Sequence, residues 1–189
     1  MVHGVTLYDG TPDQKITLTS NPYDWLEASF FYTNIQGKPY PGFEFQDYKD
    51  KGFNIKLRIK EQGILPAMAL GVMDIAGTGF YSSEYFVTSY GIKNIDIHYG
   101  IGWGTLNNDK GSIKNPLGYL NDRFKNRPTE TEAQGGSFQL SRYFAGTTAS
   151  PFYGISYAIN ENFLFKFEKD TTKTDGLMDY ERPKSDFSF

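Results

Sequence analysis

The stretch Phe53-Asn54-Ile55-Lys56-Leu57-Arg58-Ile59-Lys60 alternates apolar and polar residues without a break. Successive side chains of an extended strand point to opposite sides. Phe53, Ile55, Leu57 and Ile59 therefore share one face, and Asn54, Lys56, Arg58 and Lys60 share the other. Two kinds of protein use such a strand. One is a soluble sheet with a single buried face. The other is a membrane barrel whose outside meets lipid and whose inside meets water.

The same period recurs along the chain. In Trp25–Asn34, Leu26, Ala28, Phe30 and Tyr32 oppose Glu27, Ser29, Phe31 and Thr33. In Ile95–Trp103, Ile95, Ile97, Tyr99 and Ile101 oppose Asp96, His98, Gly100 and Gly102. In Phe163–Lys169, Phe163, Phe165 and Phe167 oppose Leu164, Lys166 and Glu168. Weaker strand patterns cover Gln14–Ser20, Ala67–Asp74, Tyr81–Tyr90 and Pro151–Ala158, and a last strand begins at Ser185–Phe189. Residues 35–51 hold Gly37, Pro39, Pro41, Gly42 and several charges, and are expected to form a long loop.

The connections keep step with the strands. Short turns at 21–24, 61–66 and 91–94 alternate with longer connections at 35–51 and 75–80, the pattern of outer-membrane barrels. The segment 104–150 must then be one excursion on the long side. If Gly136–Tyr143 were a wall strand, the short turn 159–162 would fall on the wrong side, so Ser137–Tyr143 is expected not to span. The excursion is expected to act like a plug, folding into the lumen or over the mouth. Within it, Asn115–Phe124 is predicted as a short helix, with Leu117, Leu120 and Phe124 on one side and Pro116 near the start. The expected fold is all-β: residues 1–189 form a single antiparallel outer-membrane-type β-barrel, or its N-terminal part, with about eight to ten strands. The alternative is a soluble all-β carbohydrate-binding or virion-associated module whose apolar faces pack on each other as a sandwich.

Composition agrees and excludes other classes. The chain has 189 residues, a net charge of −3, 16 Phe, 14 Tyr, 2 Trp, 20 Gly and no Cys. A mean hydropathy of −0.50 suits strands that alternate rather than run apolar. The charge balance gives no basic footprint for nucleic acid. Without cysteine there is neither a disulfide scaffold nor a thiolate metal site. No apolar run is long enough for a transmembrane helix. No secretion leader is read after Met1, so the chain is expected to be a mature, trimmed or partial sequence.

Candidate chemistry is sparse. His3 and His98 are the only histidines, and no metal site or cofactor is expected. Asp74, Glu84 and Asp96, with His98, are read as inward-facing. They suit a polar lumen, paired with Lys56 and Arg58, better than a pair for glycoside cleavage. No catalytic residue is assigned and no enzyme is expected. Gly100 and Gly102 leave room on the inward face for the 104–150 excursion. Tyr99 and Trp103 are expected at a membrane interface. The segment Lys114–Arg127 is locally basic, with Lys114, Arg123, Lys125 and Arg127 against Asp122, and offers Tyr119 and Phe124 as ring faces. It either contacts an anionic polysaccharide or salt-bridges an acidic wall of Glu84, Asp96 and Glu168.

Several phrases carry a resemblance. They are Leu65-Pro66-Ala67-Met68-Ala69-Leu70-Gly71, Asp74-Ile75-Ala76-Gly77-Thr78-Gly79, Tyr81-Ser82-Ser83-Glu84-Tyr85 and Gly100-Ile101-Gly102-Trp103-Gly104. Ile113-Lys114-Asn115-Pro116, Arg123-Phe124-Lys125-Asn126-Arg127-Pro128 and Gly135-Gly136-Ser137-Phe138 follow. In order and spacing the chain resembles the YjbH/WbfB family of exopolysaccharide or capsule biosynthesis proteins of the Gram-negative outer membrane. The resemblance implies a β-barrel component of polysaccharide export, in contact with outer-membrane lipid, an exopolysaccharide or capsular polysaccharide, and periplasmic export partners. Family members are larger, so the chain resembles an N-terminal barrel portion or a reduced copy.

Overall fold

The computed structural model describes residues 2–8, 11–40, 43–79, 81–107, 112–128, 135–169, 171–172 and 187–188. Its strands are β1 (Val2–Tyr8), β2 (Thr11–Tyr23), β3 (Leu26–Tyr40), β4 (Phe43–Lys60), β5 (Ala67–Ile75), β6 (Ser83–Ile92), β7 (Ile95–Gly104), β8 (Ile113–Lys114), β9 (Thr148–Asn160), β10 (Phe163–Lys169) and β11 (Phe187–Ser188). All pair antiparallel. The sheet runs β1-β2-β3-β4-β5-β6-β7-β9-β10-β11, with β8 attached to β9 off that path. Among the described residues β1 and β11 end the path and are not paired with each other, so the sheet is open there.

Residues directly opposite in an antiparallel pair share a face, so the register assigns every side chain. Leu26, Leu57, Leu70, Phe86, Ile101 and Pro151 form one row across β3, β4, β5, β6, β7 and β9. Tyr90, Ile97, Ile155 and Phe167 form a second on the same face, and Ile92, Ile95, Tyr157 and Phe165 a third. The opposite face carries Glu27, Lys56, Gly71, Tyr85, Gly102 and Ser150 in one row, and Ser89, His98, Gly154 and Glu168 in another. The apolar face is not buried. Phe53 is 52% exposed, Ile97 45%, Ile155 43% and Phe165 50%. Leu26, Phe30, Leu57 and Ile101 are half-buried. The sheet therefore has no single hydrophobic core beneath its apolar face.

Burial gathers instead near the end of the sheet that carries the longer connections. Turns 24–25, 61–66, 93–94 and 161–162 lie at one end, and connections 76–82 and 105–147 at the other. At that second end Phe31, Ile35, Tyr48, Ile75 and Trp103 are buried. The expected loop over 35–51 is instead strand. Ile35 lies opposite Tyr48, Thr33 opposite Asp50 and Phe31 opposite Gly52. Pro39 is accommodated where the register shifts, a position that tolerates a missing N–H. Tyr40 stacks on Tyr48 at 5.5 Å, and Asp50, expected in a solvated loop, is buried. β4, with 18 residues, is about twice as long as the 9–11 that cross a bilayer. Ser137–Tyr143 is not a strand; only a 3-10 turn at Leu140–Arg142 occurs there. The helix expected over Asn115–Phe124 is two 3-10 turns, Pro116–Tyr119 and Asp122–Phe124.

On the polar face, rings lie over glycines. A Cβ on Gly71 would fall inside the ring of Tyr85, and one on Gly100 inside that of Phe152. One on Gly102 would meet Leu106, at the start of the excursion, at 2.5 Å. Gly102 thus makes room for the excursion, as expected, whereas Gly100 makes room for a neighbouring strand's ring. Gly71→Val should cost about 1–3 kcal/mol by displacing Tyr85. Gly63→Ala, with nothing within 4 Å of its Cβ, should shift stability by no more than about 0.5 kcal/mol. Equilibrium denaturation of the two variants checks the contrast.

Candidate functional site

Two constellations stand out, one on each face. The polar face holds a cavity of about 390 Å³ lined by Lys56, Tyr85, His98, Phe152, Glu168 and Thr171. The register brings these together: His98 on β7 sits opposite Ser89 on β6 and Gly154 on β9, which in turn sits opposite Glu168 on β10. His98 Nδ1 is 2.8 Å from Ser89 Oγ. Tyr85 and Phe152 meet edge to face at 6.4 Å. The result is a mixed lining, in which imidazole, ammonium and carboxylate groups and the apolar Met73, Val87 and Leu106 stand around the rings. Such a surface hydrogen-bonds polyols and offers ring faces to sugars. Among the described residues no group of three His, Asp or Glu is placed to hold a metal.

Asp96 shares the polar face but lies nearer the short-turn end, opposite Gly91 and Ser156, and is exposed. Arg58 also points to the polar face, where it pairs with Glu61 at 2.8 Å. Neither joins the cavity.

Glu84 is on the other face. It lies opposite Val72 on β5 and Trp103 on β7, two residues from Phe86. The inward assignment of Glu84 is thus corrected, as is the grouping with Asp74, Asp96 and His98. A carboxylate in an apolar row is costly unless it is paired and fully hydrogen-bonded. Glu84 is fully buried and Arg127 grips it with both arms, Nη1 to Oε2 at 2.7 Å and Nη2 to Oε1 at 3.0 Å. The Phe144 N–H donates to Oε2 at 2.9 Å. The other Arg127 donors reach the Arg142 carbonyl at 3.0 Å and Ser82 Oγ at 2.8 Å. Burial and the nearby Arg127 charge lower the pKa of Arg142, which reaches toward Gly79.

Trp103 is likewise not at an exposed interface: it is 4% exposed. Its indole N–H donates to Asn115 Oδ1 at 3.0 Å, and its ring meets Phe144 at 5.3 Å. Asn115 is the hub of the excursion. Oδ1 also accepts the Leu117 N–H at 3.0 Å, and Nδ2 lies within 3.0 Å of the Phe124, Phe144 and Gly146 carbonyls. Glu84 and Trp103 together give the excursion its footing on the apolar face of β6 and β7, at the long-connection end.

The remaining members of the basic segment are exposed. Lys114 lies on β8, Arg123 sits 4.7 Å from the Phe124 ring centroid, and Lys125 pairs with Asp122 at 2.6 Å, which lowers the Asp122 pKa. Tyr119 is 76% exposed. Of the four cations, Arg127 is the one whose side chain is seen to grip a sheet residue, Glu84. Sequence reasoning missed Tyr85, Phe152, Asn115 and Arg142. Asn115 did have a signal: Asn before Pro favours a side-chain-closed turn. Nothing local marks the others, because their roles come from partners 15 to 67 residues away.

The family described as "Exopolysaccharide biosynthesis protein YbjH" matches residues 3–182. Over 140 residues the chain is 39% identical to "Uncharacterized lipoprotein YjbH" of Escherichia coli (strain K12), a match covering 71% of this chain and 20% of that protein. The chain thus spans about a fifth of the length of that curated relative. No solved structure matches.

Glu84→Gln should cost about 3–5 kcal/mol, since it leaves Arg127 without its counter-charge. Asn115→Asp keeps the shape but turns a donor into an acceptor facing three carbonyls. It should cost about 1–3 kcal/mol for each orphaned group and red-shift Trp103 emission as water enters. Denaturation curves and tryptophan fluorescence in a Trp25→Phe background measure both.

Proposed function

We propose, from the premise that this chain belongs to the YjbH exopolysaccharide biosynthesis family, that it is a wall segment of an outer-membrane β-barrel. Its apolar face meets lipid, and its polar face lines a passive path for an exopolysaccharide or capsular polysaccharide. The observation that carries this reading is the set of apolar rows that cross β3 to β10 with their side chains unburied. Soluble monomers rarely leave so extended an apolar surface in water. β6 and β7 have ten residues each, the length at which a tilted strand crosses the hydrocarbon core. A lipoprotein relative agrees with an envelope location. Among the described residues no helix is long and apolar enough to cross a membrane, so spanning rests on the strands.

On this reading Lys56, His98 and Glu168 exchange hydrogen bonds with polymer hydroxyls, and Tyr85 and Phe152 offer low-friction ring faces. The role is non-catalytic, needs no cofactor and involves no nucleic acid. Partners on the periplasmic side supply direction and driving force.

Ile97→Arg separates membrane from water. In a bilayer it should cost about 2–4 kcal/mol near the midplane; in a water-exposed sheet it should cost no more than about 0.5 kcal/mol. Refolding the chain into phosphatidylcholine vesicles, with urea titration of both forms, gives the difference. Vesicles holding the inserted chain should also swell in oligosaccharides cut from the producing cell's polymer. Insertion without swelling would retain the wall and remove the path.

A further inference from the structure

The basic segment stands apart from the polar cavity. Its attachments are Arg127 on Glu84 and Asn115 on Trp103. Both anchors share a face with Val72, Phe86 and Ile101, at the long-connection end of the strands. The polar cavity with His98 and Glu168 is on the opposite side of the sheet. With Arg127 held by Glu84, the exposed cations left are Lys114, Arg123 and Lys125. Lys114 and Lys125 share one hollow with Tyr119, 76% exposed, and Leu120, 78% exposed; Asp122 lines it too and pairs with Lys125, while Arg123 lies over the Phe124 ring. This open hollow, of about 1070 Å³, also reaches Thr147. Its walls are held by Asn115, which caps the first 3-10 turn, and by Asn121, which caps the second.

An exposed ring and an aliphatic side chain amid cations, at the border of an apolar face, have the chemistry of a membrane interface. The apolar groups enter the headgroup layer, and the cations meet lipid phosphates. We propose that residues 112–128 form a lipid-contact site that binds the phosphate-bearing headgroups of the membrane surface bordering the apolar face. This rests on the membrane reading of the preceding section, because only there does the apolar face meet lipid. Three cations against the one carboxylate of Asp122 leave a net positive charge that complements phosphate, and the anchors Glu84 and Trp103 tie the site to the apolar face.

The test uses the intact chain with two kinds of vesicle, one of phosphatidylcholine alone and one of equal parts phosphatidylcholine and phosphatidylglycerol. Wild type should favour the anionic vesicles, and added salt should erase the preference. Lys114→Gln/Arg123→Gln/Lys125→Gln should lower it on the order of fivefold per cation, or about 100-fold in all, with strand circular dichroism and Trp103 emission unchanged. Tyr119→Ser/Leu120→Ser should weaken binding to both vesicles. If the triple variant does not fold, Lys114→Gln alone should still lose about fivefold. An unchanged preference in folded variants overturns this site while leaving the membrane wall intact. Failure of wild type to bind either vesicle overturns both readings. Loss of binding to soluble polygalacturonate, with vesicle preference retained, overturns the site in favour of polymer contact.

Discussion

Antiparallel pairing holds opposite residues on one face, and here that constraint propagates across nearly the whole chain. Once Leu26 pairs with Leu57, and Leu57 with Leu70, the faces of Phe86, Ile101 and Pro151 follow without further choice. A slip of one residue in any pair would turn an apolar set to the polar side. Register shifts occur near both ends: beside the short turns at Ser20/Tyr23, Arg58/Lys60 and Phe163/Leu164, and at the long-connection end where Pro39 and the left-handed Asp74 are absorbed. Rings folded over Gly71 and Gly100 lock the polar face further, since no other residue leaves that space.

A sheet built this way lacks a conventional core, so its tertiary structure is concentrated where side chains must be covered. Glu84 and Trp103 interrupt the apolar face with a charge and an N–H donor. Each needs partners that β5, β6 and β7 cannot provide, and the 105–147 connection provides them through Arg127, Phe144 and Asn115. On the polar face the 76–82 connection does the same work. Asp50 accepts the Thr78 N–H at 3.2 Å, Asp74 accepts the Tyr81 N–H at 3.0 Å, and Tyr81 meets Phe31 edge to face. The long-connection end thus carries the buried cross-links, and the short-turn end exposed ones, such as Gln62 with Gly91 and Asn94 with Ala158.

Much of this was legible. The alternation in Phe53–Lys60, Ile95–Trp103 and Phe163–Lys169 assigns the same faces that the register does, and the parity of turns rules out a strand over Ser137–Tyr143. Residues 35–51 were misread because Pro39, Pro41 and Gly42 are strong local breakers, whereas the ladder there depends on Ile35 finding Tyr48 and Thr33 finding Asp50. For Glu84 the signal was present and outweighed: it has the parity of Phe86, but its charge argued for the polar side. The face of Trp103 could be read; that a loop covers it could not.

By itself the sequence determined the all-β class, the two-faced strands and their antiparallel pairing, since a period of two and short connections are local properties. Its ordered motifs also determined the family. Only the tertiary structure decided which cations are structural and which are open, and on which side of the sheet the excursion stands. Those outcomes depend on long-range partners, above all Arg127 with Glu84 and Asn115 with Trp103. Desolvation makes an unpaired carboxylate or indole N–H in an apolar row untenable, so burial at one place in the sheet dictated where a segment distant in sequence had to go.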